Sequence, residues 1–115
     1  MQAGTVPART RELVLVVSDP DAPGGTFVHL TRYDISPRGD GSVDQGGREG
    51  RNSAGDIGWT PPCPPEGDGR HRYVWSVYAL RDHSGLEEGA SPDEVTAAVR
   101  EGVLANGAIT ARYGR

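Results

Sequence analysis

A carboxylate, two imidazoles and a phenol in this 115-residue chain sit where stiff or extended segments would present them. Asp19 follows the apolar run Leu13-Val14-Leu15-Val16-Val17 and opens the rigid segment Asp19-Pro20-Asp21-Ala22-Pro23. His29 lies in the next extended segment. His71 opens a third, and Tyr73, two residues on, points its side chain the same way. If the three segments are neighbours, both imidazoles and the phenol converge beside the carboxylate. Such a set can bind a phosphate-like anion. Imidazolium rings donate charge-assisted hydrogen bonds, the phenol adds a hydroxyl, and the carboxylate orients a ring or favours its protonation. Pro23, Pro64 and Pro65 would wall the pocket at little ordering cost. Each residue alone has a plainer reading. A lone histidine at a strand start is ordinarily structural or exposed. An aspartate before proline is usually a turn residue, and Tyr73 and Trp75 would ordinarily be core.

Other chemistries are weaker. Asp19, His29 and His71 form a legitimate zinc set, but their spacing matches no recognised metal motif. Asp40-Gly41 with Asp44 lacks the repeat and terminal glutamate of a calcium loop, and reads as a solvated turn. Cys63, between prolines, reads as an inert thiol. His83 is expected to be exposed in a polar turn, and Arg48 and Arg51 to be ordinary loop charges. Ser18 and Ser76 lie on extended segments, without the sharp glycine-flanked turn of a hydrolase nucleophile. No catalytic residue, metal ligand or cofactor is assigned. Acid–base use of Asp19 with a histidine stays open.

The positioning elements follow from periodicity. The run 13–17 fits a strand buried on both faces. Pro20 ends it. Thr26 to Ile35 reads as a second strand with Phe27, His29, Thr31, Tyr33 and Ile35 on one face. Ser36 to Arg70 shows no clear period and is rich in glycine and proline. His71 to Leu80 alternates, with His71, Tyr73, Trp75 and Val77 on one face and Arg72, Val74, Ser76 and Tyr78 on the other. Ser91, Pro92 and Glu94 make a capping box with proline at the first helical position. The apolar stripe Val95, Ala98, Val99, Val103 and Leu104 extends that helix over about 92–105, where Asn106-Gly107 stops it. Ala108 to Tyr113 is expected as a closing strand. The chain reads as one domain, 1–115, mainly β with one C-terminal helix.

Composition narrows the function. Apolar residues make up 35% of the chain, with 17 glycines and 9 prolines, so the core must come from a few short runs. The formal charge of -4 argues against bulk nucleic-acid or membrane-surface binding, which need a basic face. One cysteine permits no internal disulfide. No apolar stretch approaches the ~20 residues of a membrane span. The first eleven residues hold no apolar signal core. A cytoplasmic protein is expected, without stable membrane insertion.

The segments also match a known pattern in order. Asp19-Pro20-Asp21-Ala22-Pro23, His29, Pro62-Cys63-Pro64-Pro65 with Gly67, and His71-Arg72-Tyr73-Val74-Trp75 resemble the signatures of the phosphatidylethanolamine-binding protein family, in its bacterial Raf kinase inhibitor-like branch. Asn52 with Gly55, Tyr78-Ala79-Leu80, Gly89-Ala90 and Tyr113-Gly114-Arg115 add to the match, which runs from about Arg11 to the C-terminus. The resemblance implies a Greek-key β-sandwich with a near-surface pocket for phosphate or phosphorylated headgroups. It implies no metal. The family's pocket residues match Asp19, His29, His71 and Tyr73, its proline walls match Pro23 and Pro65, and its pre-loop aromatic, usually tyrosine, matches Trp59. Pro61 stands where the family tends to have glycine, and the N-terminal lead strands are missing. The expected function is a binding protein for a small anionic ligand, with a protein partner or a homodimer through an exposed sheet edge as candidates. The alternatives are a small enzyme and an interaction protein with a vestigial pocket.

Overall fold

An apolar run without alternation needs cover on both faces and a neighbour on both edges. The computed structural model describes residues 7–22, 25–37, 46–60 and 71–113, with the backbone alone at 71 and 108–113. In it the run forms β1 (Glu12–Asp19), paired antiparallel with β2 (Phe27–Ile35) on one edge and β4 (His71–Leu80) on the other. The short β3 (Arg48–Glu49) lies outside β2, and β5 (Val103–Tyr113) outside β4, giving the order β3-β2-β1-β4-β5. On one face Leu13, Leu15 and Val17 pack with Leu30, Ile35, Val77 and Ala79, flanked by Trp75 and Ala105. On the other, Val14 packs with Tyr33, Leu80, Ala90 and Val95. Burying each such aliphatic side chain contributes about 1.5–3 kcal/mol. The mainly β class and the late helix stand as read. The described strands form one sheet, and a second sandwich layer is not among the described residues.

The helix is α1 (Pro92–Gly102), and its start follows local chemistry. Ser91 Oγ accepts from the Glu94 N–H at 3.1 Å, and Glu94 Oε1 accepts from the Ser91 N–H at 3.0 Å. The backbone and then the side-chain bond from Ser91 hold the Glu94 carboxyl below its ordinary pKa. The end differs from the expected 105. Val103 is already extended, at φ -67° and ψ 128°, although its N–H still reaches Val99 O. Gly102 weakens the last turn, and the residues after it gain a strand partner, with Val103 opposite Leu80 and Ala105 opposite Ala79. Val103 and Leu104 therefore belong to β5, which begins five residues before the expected Ala108. Asn106-Gly107 lies within that strand.

The expected single face of β2 does not form. Leu13 pairs with Ile35 but Leu15 with Arg32, and Val17 with Leu30 but Ser18 with Val28. Each step inserts one extra residue into β2, a β-bulge that resets the alternation. Leu30 and Ile35 thus join one core face while Tyr33 joins the other. Asp34, at the first bulge, holds a left-handed φ of 57°, which aspartate tolerates better than most residues.

Two buried polar groups tie this frame together. Glu12 is 1% exposed. Its carboxylate accepts the Asp34 N–H, the Ser84 N–H and the Ser84 hydroxyl, each at 2.8 Å. It joins the start of β1 to the end of β2 and to the turn after β4. Tyr33, fully buried, donates its hydroxyl to Glu87 O and accepts from the Ala90 N–H at 3.1 Å. Burial raises the Tyr33 pKa above 10.0, against the lowering effect of the Ala90 bond.

Glu12→Ala strands three donors and is expected to cost about 3 kcal/mol in urea unfolding. Tyr33→Phe removes one donor and one acceptor partner and is expected to cost about 1–3 kcal/mol. Because the folded pKa of Tyr33 lies above the unfolded one, its contribution is complete below pH ~10 and is lost as pH rises through the folded value. Denaturation midpoints across the alkaline range should fall in the wild type and fall less steeply in Tyr33→Phe.

Candidate functional site

Asp19 ends β1 and is 3% exposed. Two residues on from Val17, it continues the face that carries Leu13, Leu15 and Val17. Its Oδ1 accepts the Asp21 N–H at 2.8 Å, the short local bond that aspartate makes in a turn. In register, Asp19 lies opposite Phe27 on β2. On β4 the ladder ends at Ser18 with Val74, so Tyr73 is the next residue on that side.

His29 reaches the same face because of the second bulge. The extra residue lets His29 lie next to Leu30 without being sent to the opposite face. The ring is 5% exposed. It packs against Phe27 at 4.8 Å between centroids, edge-on to Tyr73 at 5.4 Å and tilted to Trp59 at 5.9 Å. Trp59 in turn meets Trp75 at 5.9 Å. β2 and β4 flank β1, so the His29 and Tyr73 rings meet over the end of β1, where Asp19 stands. His29 Nδ1 lies 2.8 Å from Thr60 O. A carbonyl only accepts, so Nδ1 carries the hydrogen and Nε2 is the remaining nitrogen.

The loop that supplies Thr60 is itself tied to β2. Thr60 N–H donates to His29 O at 3.1 Å, Ser53 N–H to Val28 O at 2.8 Å, and Val28 N–H to Ser53 Oγ at 2.7 Å. Buried Asn52 shapes the loop, donating to Gly58 O at 3.0 Å and accepting the Ala54 and Asp56 N–H groups at 2.9 and 3.2 Å. Gly58, at φ 98°, takes a backbone conformation that a side chain would strain.

A second carboxylate of the turn faces β4. Asp21 Oδ2 accepts the Arg72 backbone N–H at 2.8 Å and Nε–H at 3.0 Å, and Oδ1 accepts Nη2–H at 2.9 Å. The hydrogen bond and charge of Asp21 raise the Arg72 pKa further above its usual value. Both side chains stay partly exposed, at 31% and 46%.

Of the residues singled out from sequence, His29 and Tyr73 come together, Asp19 lies at the end of β1 on the same face, and Trp59 sits against His29 while 45% exposed. His71 opens β4 opposite Tyr113, and its side chain lies outside the described residues. Pro23 and Pro65 lie outside them too, as do Cys63 and the turn around Asp40. Thr60, Phe27, Asp21 and Arg72 were not singled out. The two charged residues sat inside quoted motifs, but Thr60 acts through its carbonyl, which no side-chain pattern reveals. Among the described residues Glu12, Asp34 and His83 bring ligand-type atoms within 4.8 Å of one another at the other end of β1. There Glu12 already serves three donors, and Arg48 lies 3.5 Å from the Asp34 carboxylate.

The sequence model of the phosphatidylethanolamine-binding protein family matches residues 1–114. The chain belongs to this family. It is similar, at 39% identity, to a UPF0098 protein of Aquifex aeolicus over 96% of this chain and 70% of the relative. It is also 39% identical to a UPF0098 protein of Pyrococcus horikoshii, over 91% of this chain and 58% of that one. A Mycobacterium tuberculosis relative, 39% identical over 83% of this chain and 49% of its own length, is named as a candidate lipoprotein, LppC. Two crystal structures share the fold. CT736 of Chlamydia trachomatis, described as a candidate family homologue, superposes with a TM-score of 0.82 at 33% identity, covering 96% of this chain and 76% of that one. Escherichia coli YbcL, described as a new member of the mammalian family, gives 0.83 at 31%, covering 96% and 75%. No described helix is long and apolar enough to cross a membrane.

The Thr60 carbonyl should hold His29 in the Nδ1–H tautomer, the reverse of the usual preference of a free imidazole. Long-range proton–nitrogen correlation spectra recorded well above the imidazole range should show a protonated Nδ1 and an unprotonated Nε2.

Proposed function

We propose that this family member is a non-enzymatic binding module whose pocket takes phosphate or phosphorylated small ligands. The observation that carries the reading is the meeting of His29 and Tyr73 over the end of β1 at Asp19, with Nδ1 of His29 committed to Thr60. Protonation then places an N–H on Nε2, and a charged N–H is a strong donor to a phosphate oxygen. Tyr73 carries a hydroxyl able to donate beside it. Trp59 and Phe27 add apolar surface next to the polar groups, the mixture common in small-molecule sites. The resemblance of the sequence motifs would add His71, Pro23 and Pro65 to the set. The family's own name points to a phosphorylated headgroup.

The reading is of a protein working in the cytoplasm, supported by its single cysteine. It extends to modulation of a partner protein or to a homodimer. The eleven-residue β5 closes one side of the sheet order, and an outermost strand is where a further strand can add.

Inorganic phosphate titrated into the protein by NMR is the direct test. In His29→Asn, whose amide can overlay Nδ1 and keep a donor for Thr60 but cannot take up a charge, affinity should drop about tenfold or more, as loss of a charge-assisted bond implies. Binding that is equal in wild type and variant would overturn the reading. Turnover of a phosphorylated compound abolished by Asp19→Asn would make the protein an enzyme instead.

A further inference from the structure

The Asp-Pro-Asp segment carries two carboxylates, and only the first stands at the pocket. The second meets the backbone where the β1–β4 ladder stops. That ladder keeps constant register from Glu12 opposite Leu80 to Ser18 opposite Val74. Carried two residues further, it would set Pro20 opposite Arg72, but the pairing stops at Ser18 and Val74. The Arg72 N–H instead meets Asp21 Oδ2 at 2.8 Å, a side-chain carboxylate standing in for a strand carbonyl. The Arg72 guanidinium then forks onto the same carboxylate through Nε and Nη2, at 3.0 and 2.9 Å. Three donors of one residue thus converge on one side chain.

The fork is connected to the pocket on both sides. The Asp21 backbone N–H donates to Asp19 Oδ1, so the group that receives Arg72 also fixes the pocket carboxylate. Arg72 lies between His71 and Tyr73 in β4. Alternation turns Arg72 to the sheet face opposite Tyr73, so its guanidinium is bound away from the pocket. This cation is therefore no ligand for the anion, although it is next in sequence to two candidate ligand residues. Exposed ion pairs add little to global stability. What a bidentate fork adds is fixed geometry.

We propose that Asp21 and Arg72 are positioning residues, a clamp that sets the start of β4, with Tyr73 and His71, against the Asp19 turn. The proposal rests on the pocket being a ligand site. Asp21→Asn removes the charge, and Arg72→Lys keeps the charge but loses the fork. In the full chain both are expected to raise the dissociation constant for inorganic phosphate about five- to tenfold, as loss of a ligand-orienting partner does. The thermal midpoint should stay near that of the wild type. Without any phosphate, the ring resonances of His29 and Tyr73 should shift, and the Arg72 amide should exchange faster with solvent. Unchanged ring resonances and unchanged Arg72 exchange in both variants would overturn the clamp. So would an affinity loss that merely tracks a lowered midpoint, since that marks general destabilisation. If the wild type binds no phosphate, the pocket reading fails, and the clamp is then judged on the ligand-free resonances and exchange alone.

Discussion

Strand β1 is hydrogen-bonded along both edges and packed on both faces, so only its ends are free to carry polar groups. Both ends carry a buried carboxylate, Glu12 at one and Asp19 at the other. A buried carboxylate is costly unless donors are supplied, and at each end the chain supplies backbone N–H groups. Glu12 gathers donors from two other segments and locks the frame. Asp19 takes a donor from its own turn. The strand that holds the core together therefore also decides where His29 and Tyr73 can meet.

The neighbouring strand had to be irregular for those two rings to meet. A regular β2 would put His29 and Leu30 on opposite faces. The bulge allows Leu30 to stay in the core opposite Val17 while His29 turns toward Tyr73 and Trp59. The Thr60 carbonyl then selects which ring nitrogen faces the remaining space. Position and tautomer come from different parts of the chain, thirty-one residues apart. The loop around Asn52 is thus a structural part of the site, since it holds Thr60 beside β2.

Proline at the end of β1 stiffens the turn that follows. Just beyond the end of the ladder, the Asp21 carboxylate accepts the Arg72 N–H. Two aspartates with one proline between them make a compact junction in which one carboxylate is buried at the end of β1 and the other binds the adjacent strand.

Much of this was legible from residue order. The unbroken apolar run 13–17 requires a doubly buried strand, alternation assigns the two faces of 71–80, and the Ser91 capping box starts the helix, because each is a local property. Asp19, His29 and Tyr73 could be named from the ordered motifs. The interruptions could not be read the same way. The two bulges in β2 arise because β1 dictates the register, and the helix stops at Gly102 because Leu80 and Ala79 offer Val103 and Ala105 a ladder. The donors on Glu12, the Thr60 carbonyl on His29 and the Asp21–Arg72 fork join residues 72, 31 and 51 positions apart. Sequence determined which groups were available and which local elements would carry them. Tertiary structure decided which of them meet, because hydrogen-bond partners across a sheet are set by register and strand order rather than by spacing along the chain.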